Sequence, residues 1–195
     1  MTVSAELIAD LKQRYAEPQR HYHSWAHIEA LLAHYRRWQD HFHRPLPVLW
    51  ALYWHDAIYD PMAKDNEEQS AQLLERMADD ILSEADLEFA SIIVRATARH
   101  EVPVGLTRED EADLSLFLDL DLSVLGARAD VFDQYERDVR SEYLAVPDEA
   151  FRGGRKAILE RFLARERLYF TDLAHKMWDA PARENLRRSI AVLSV

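Results

Sequence analysis

Apolar residues recur along most of this chain at intervals of three and four, the spacing that gives a helix one buried face. Leu7, Ile8 and Leu11 mark such a helix over residues 4–15, and Ile28, Leu31, Leu32 and Tyr35 mark another from His23 to about His41. Residues 48–58 are apolar nearly all round, from Val48 through Trp50 and Trp54 to Ile58, which predicts a central, buried helix. Pro47 suits its first turn and Asp60-Pro61 ends it. Asn66 with Gln69 reads as a capping box, and Ser83 with Asp86 as a second helix start ahead of Leu87, Ile92, Ile93 and Val94. A loop over 101–108 holds Pro103 and Gly105, with Thr107 placed to cap the next helix. Two longer helices are expected at 130–146 and 149–169, divided by Pro147, and Asp179 with Pro181 opens a last one to about Leu193.

One segment breaks the period. In Leu116 to Leu125, Asp119, Asp121 and Ser123 alternate with apolar residues, the pattern of a half-buried strand. A lone strand in a helical chain has no partner to pair with, so a helix is predicted here too.

Composition supports the same class. Only 4 of 195 residues are Gly, while Ala, Leu, Glu and Arg are frequent, which favours helix over turn-rich sheet. The expectation is an all-α, single-domain fold over residues 1–195, with a core over about 20–126 and C-terminal helices over 130–193 packed on it. With 0 Cys there is neither a disulfide framework nor a thiolate metal site. Charges at Glu6, Asp10, Lys12, Arg14, Glu17 and Arg20 interrupt any signal-peptide core, and no apolar run is long enough to span a membrane. A cytoplasmic protein is expected, with no membrane partner. A net charge of -11 argues against binding a nucleic acid polymer. It leaves room for a small anionic substrate at a locally positive site.

The chemistry concentrates where polar residues interrupt apolar segments. His55 and Asp56 sit within the most apolar predicted helix of the chain, and Asp119 and Asp121 in a Leu-rich segment. A buried carboxylate requires a partner, which an Arg, a hydrogen-bond network or a cation would supply. His23 and His27 are four residues apart, about 40° around a helix, and so would share a face. Imidazole together with carboxylate suits a divalent ion such as Mn, Fe, Co, Ni, Zn or Mg. A His-Asp dipeptide alone establishes none of this; a polar helix face and Arg–Asp pairs account for the same residues.

The ordered set His27, His55-Asp56, Asp121 resembles the H…HD…D pattern of the HD-domain superfamily. Further features resemble a small branch of predicted metal-dependent phosphohydrolases of about this length. They are Arg20-His21-Tyr22-His23, His55-Asp56-Ala57-Ile58-Tyr59-Asp60, Asn66-Glu67 with Ser70-Ala71, and His100. They continue with Leu118-Asp119-Leu120-Asp121-Leu122-Ser123-Val124-Leu125-Gly126, Arg140 with Glu142-Tyr143, Gly154-Arg155, and Ala182-Arg183 with Asn185-Leu186.

The resemblance implies an all-helical hydrolase of a small phosphorylated substrate, nucleotides among the candidates, with His27, His55, Asp56 and Asp121 as metal ligands. His23 and Asp119 would then stand behind the ligands and orient them, although Asp119 remains the alternative last ligand. Asp60 and Glu67 are candidates for the general base. The family's acidic pair at this point is Tyr59-Asp60 here, which leaves the choice open. Arg20, His100 and Arg155 are candidates for gripping the substrate, and Arg183 is expected in a surface salt bridge. Two rivals use the same residues. A di-iron oxygenase would recruit His23, Asp60 and His100 as extra ligands, and a non-catalytic module would bind a nucleotide or a protein partner. Trp38, if exposed, would mark a homodimer interface; if buried, a core position.

Overall fold

The helical period is realised along the chain. The computed structural model describes residues 3–195, and among them there are nine α-helices, two short 3-10 helices and no strand. They are α1 (Ala5–Arg14), α2 (Trp25–Trp38), α3 (Pro45–Trp54), α4 (Asn66–Ala78), α5 (Glu84–Ala96), α6 (Arg108–Asp121), α7 (Ala129–Glu142), α8 (Asp148–Leu163) and α9 (Asp172–Leu193). The 3-10 helices are Gln39–His41 and Leu122–Gly126. None of the helices is long and apolar enough to cross a membrane.

The chain divides into two compact units, one ending at Leu120 and the other spanning Asp121–Val195. In the first, α3 is the centre. It packs against α2, α4 and α5, and Val48, Trp50, Ala51, Leu52 and Trp54 are all buried. The Trp50 and Trp54 indoles stack 4.8 Å apart. Trp38 is buried as well, so it belongs to the core. In the second unit α9 packs on α8 and on Leu122–Gly126, burying Ala174, Trp178, Ala182 and Leu186. Gly126 permits the close approach: a Cβ there would come within 2.5 Å of the Trp178 Cβ.

Several boundaries differ from the sequence expectation. α3 begins earlier, at Pro45, because both prolines fit a first turn whose amides need no helical acceptor. It also ends earlier, at Trp54, so His55 and Asp56 lie in the turn after the apolar helix rather than inside it. His23 precedes α2 rather than sharing its face with His27. Asn66 is the first residue of α4, not its cap; its amide instead accepts from the Asp60 N–H at 3.0 Å and donates to the Asp60 carbonyl at 2.8 Å. α7 and α8 stop at Glu142 and Leu163, short of the expected ends. α9 starts at Asp172, seven residues before the expected Asp179, because Thr171 caps it by accepting from the Ala174 N–H. The buried stripe Ala174, Trp178, Ala182 and Leu186 runs straight past Pro181, so packing carries the helix across a residue that cannot donate. The caps at Ser83 and Thr107 are as expected: each hydroxyl accepts from the amide three residues on. Leu116–Leu125 is helical, its first part in α6 and its last in the 3-10 turn.

Candidate metal centre

The last carbonyls of α3 have no further helical amides to meet them. The residues after the helix supply the donors. The His55 N–H donates to the Ala51 carbonyl, the His55 ring Nδ1 to that of Leu52 at 2.9 Å, and the Ala57 N–H to that of Trp54. The Tyr15 hydroxyl donates to the Tyr53 carbonyl at 3.0 Å. A carbonyl only accepts, so Nδ1 of His55 carries the proton and Nε2 presents its lone pair. His55 is 1% exposed, and that lone pair is aimed inward.

His27, in the first turn of α2, meets it. The two Nε2 atoms are 3.2 Å apart, and Asp56 Oδ2 lies 3.0 Å from that of His55 and 3.9 Å from that of His27. Three atoms at these separations all lie about 2 Å from one common point, the length of a zinc–nitrogen or zinc–oxygen bond. Asp121, the terminal residue of α6, is carried to the same pair: ligand atoms of His27, His55 and Asp121 lie within 4.8 Å of one another. Two imidazoles and a carboxylate suit a first-row divalent ion, and the buried His27–His55–Asp121 group could hold one.

Burial would raise the Asp56 carboxyl, but His55 beside it, then His23 and His27, outweigh burial and hold it well below the usual carboxylate range. Lone pairs this close repel one another unless a proton or a cation lies between them.

The other expected residues are distributed unevenly. His23 stacks on Tyr59 with ring centroids 4.2 Å apart, and its ring edge faces His27 at 6.5 Å. Asp119 is buried on α6, about 200° around the helix from Asp121. Asp60 is exposed, with Oδ1 accepting from the Met62 N–H. Glu67 is half-buried in the first turn of α4, on the face that carries Ser70. Ser70 in turn accepts from the Ile58 N–H at 3.0 Å, two residues past Asp56. His100 follows α5 with φ 50, a left-handed conformation, and is not among the residues grouped at the paired imidazoles.

Neither expected phosphate-gripping arginine is oriented outward. Arg20 is buried and donates to the backbone carbonyls of His23, Asp56 and Ala57. Arg155 is buried against Glu136 and over the Tyr135 ring. Burial works against its charge, but Tyr135 and Glu136 more than compensate and keep its pKa above the ordinary arginine value.

Sequence reasoning missed the residues that hold the turns. Tyr15, Ser70, Tyr169 and Asn185 bond backbone beside the candidate ligands: Tyr169 donates to the Leu122 carbonyl, and Asn185 to those of Leu125 and Ala127. Ser70 and Asn185 belong to the motifs that carry the resemblance; their patterns gave them no role. No protein-family model, curated protein or solved structure matches the chain.

Proposed function

We propose that this chain is a metal-dependent phosphohydrolase acting on a small phosphoester, nucleotides being the first class to test. The observation that carries the reading is the convergence of His27 Nε2, His55 Nε2 and Asp56 Oδ2 at mutual separations of 3.2, 3.0 and 3.9 Å, with Asp121 beside the two imidazoles. A divalent ion held there would lower the pKa of a bound water towards 7 and screen the oxygens of the attacked phosphorus.

The protein's own part is orientation and proton transfer. The Leu52 carbonyl fixes the His55 tautomer. Of the two candidate bases, Asp60 is exposed and bonded to its own turn. Glu67 is half-buried on the face of α4 that is anchored beside the His55-Asp56 turn, and it is the one we assign to take the proton.

Metal content of the purified protein, measured by mass spectrometry beside a His55→Ala, Asp56→Ala double variant, is the first test. The expected result is near-stoichiometric metal and turnover of nucleotides or aryl phosphates in the parent, with both lost in the variant. Bound metal with no hydrolysis of any phosphoester in a broad panel would sink the reaction. A visible absorption band with oxygen consumption would replace it with the di-iron reading.

A further inference from the structure

We propose that Arg20 is a positioning residue for the metal centre, acting through the backbone of the His55-Asp56 turn. The inference rests on reading that centre as a metal site.

The geometry is specific. Nη1 of Arg20 donates to the Asp56 carbonyl at 2.6 Å and the His23 carbonyl at 3.0 Å, and Nη2 donates to the Ala57 carbonyl at 3.1 Å. Nε pairs with Glu17 at 3.0 Å. The guanidinium lies over the rings of Tyr15 and Tyr59, 5.0 and 5.4 Å from their centroids. Its side chain is 0% exposed. A guanidinium in that position cannot reach a substrate in solution; its donors point at main chain.

The carbonyls it meets lie just before α2 and just past the end of α3, whose own last carbonyls are taken by His55, Ala57 and Tyr15. Had the helix continued, Asp56 and Ala57 would have bonded to amides further along. The chain turns instead, which is what brings the Asp56 carboxylate back to within 3.0 Å of His55 Nε2. Without a buried donor, the carbonyls of residues 56 and 57 would be unsatisfied, and the turn would relax towards water or further helix. Arg20 therefore holds three points at once: the approach to α2 at His23, the ligand Asp56, and the residue after it. Only a planar fork spans these carbonyls; an ammonium group is a single point on a flexible stem. Residues that orient ligands in this way change metal affinity by roughly 10- to 100-fold when removed.

The test compares Mn²⁺ affinity, by calorimetric titration, with thermal stability in the parent, Arg20→Lys and Arg183→Lys. Arg183 holds backbone carbonyls at another turn, those of Leu163, Arg165 and Glu166. Both variants are expected to melt below the parent. Only Arg20→Lys is expected to lose affinity, by about tenfold or more, with Arg183→Lys within about twofold of the parent. Glu17→Gln changes a side chain that is 43% exposed and removes the charge that orients the guanidinium through Nε, loosening the three carbonyl bonds without deleting their donor. It serves if Arg20→Lys does not fold, and an affinity loss of about threefold is expected of it. Parent-like affinity in a folded Arg20→Lys, or in Glu17→Gln where that variant stands in, overturns the positioning role. A parent that takes up no Mn²⁺, Co²⁺ or Zn²⁺ overturns the metal reading itself, a distinct outcome.

Discussion

Arg183 on α9 donates to the carbonyls of Leu163, Arg165 and Glu166, with Asp179 on its Nε at 2.6 Å. Arg20 donates to those of His23, Asp56 and Ala57, with Glu17 on its Nε. The two arginines thus form the same device, one in each unit: a guanidinium oriented by a nearby carboxylate and bonded to backbone carbonyls of a turn beside a helix end. The turns differ in what they carry. Residues 163–166 read Leu-Ala-Arg-Glu, whereas residues 55 and 56 are the imidazole and carboxylate that meet His27. The clamp is a means of folding a turn; the chemistry depends on the side chains that the turn presents. The burial of the two also differs, 0% exposure of the Arg20 side chain against 19% for Arg183, so the guanidinium beside the candidate ligands is the one out of contact with water.

That contrast can be broken directly. Arg183→Ala leaves three carbonyls without their side-chain donor and the Asp179 carboxylate with only its remaining partners, and a loss of about 3 kcal/mol in chemical denaturation is expected. The same variant is expected to keep its metal, and loss of metal from it would dissolve the distinction between the two clamps.

The turn after Asp121 sharpens the comparison, because it is held without an arginine. Asn185 donates to the Leu125 carbonyl at 2.9 Å and the Ala127 carbonyl at 2.8 Å. Asn185→Ala is expected to destabilise by about 2 kcal/mol, read from the urea midpoint. A change below a few tenths of a kcal/mol would mean that the packing of Gly126 on Trp178 holds this turn by itself.

The smallest effect concerns acid. Burial would raise the Asp179 carboxyl, but the hydrogen bond from Arg183, the Leu168 N–H and the charge of Arg183 keep it below its ordinary 3.8. A carboxyl depressed by folding adds stability that is complete above its unfolded pKa and is lost as pH falls through the folded one. The stability gap between the parent and Asp179→Asn is therefore expected to be constant from neutral pH to about pH 5 and to shrink below about pH 4. A gap that persists at pH 2 would show that the carboxylate's charge contributes nothing.

Much of this was legible in the chain. The all-α class comes from apolar spacing, and Leu116–Leu125 is helical despite its alternating pattern, with no second strand among the described residues to pair with it. Polar residues interrupting apolar runs marked His55, Asp56, Asp119 and Asp121, and the spacing of His23 and His27 marked a shared face; the choice of His27 and Asp121 within those pairs came from the family resemblance. Arg20 and Arg155 were misread because a sequence shows a charge and not what faces it. Buried, both point at protein groups. Arg183, expected in a surface salt bridge, does pair with Asp179, but its three carbonyl bonds depend on where the α8–α9 turn lies.

The division has a physical cause. Helix type depends on side-chain period and backbone propensity within a few residues, so the sequence alone determined an all-helical protein and the order in which its candidate ligands occur. Helix ends and ligand convergence depend on bonds between residues tens of positions apart. That α3 stops at Trp54, that α9 runs through Pro181, and that His27 and His55 bring their Nε2 atoms to 3.2 Å were decided only by tertiary packing and by buried donors reaching carbonyls that no local amide could meet.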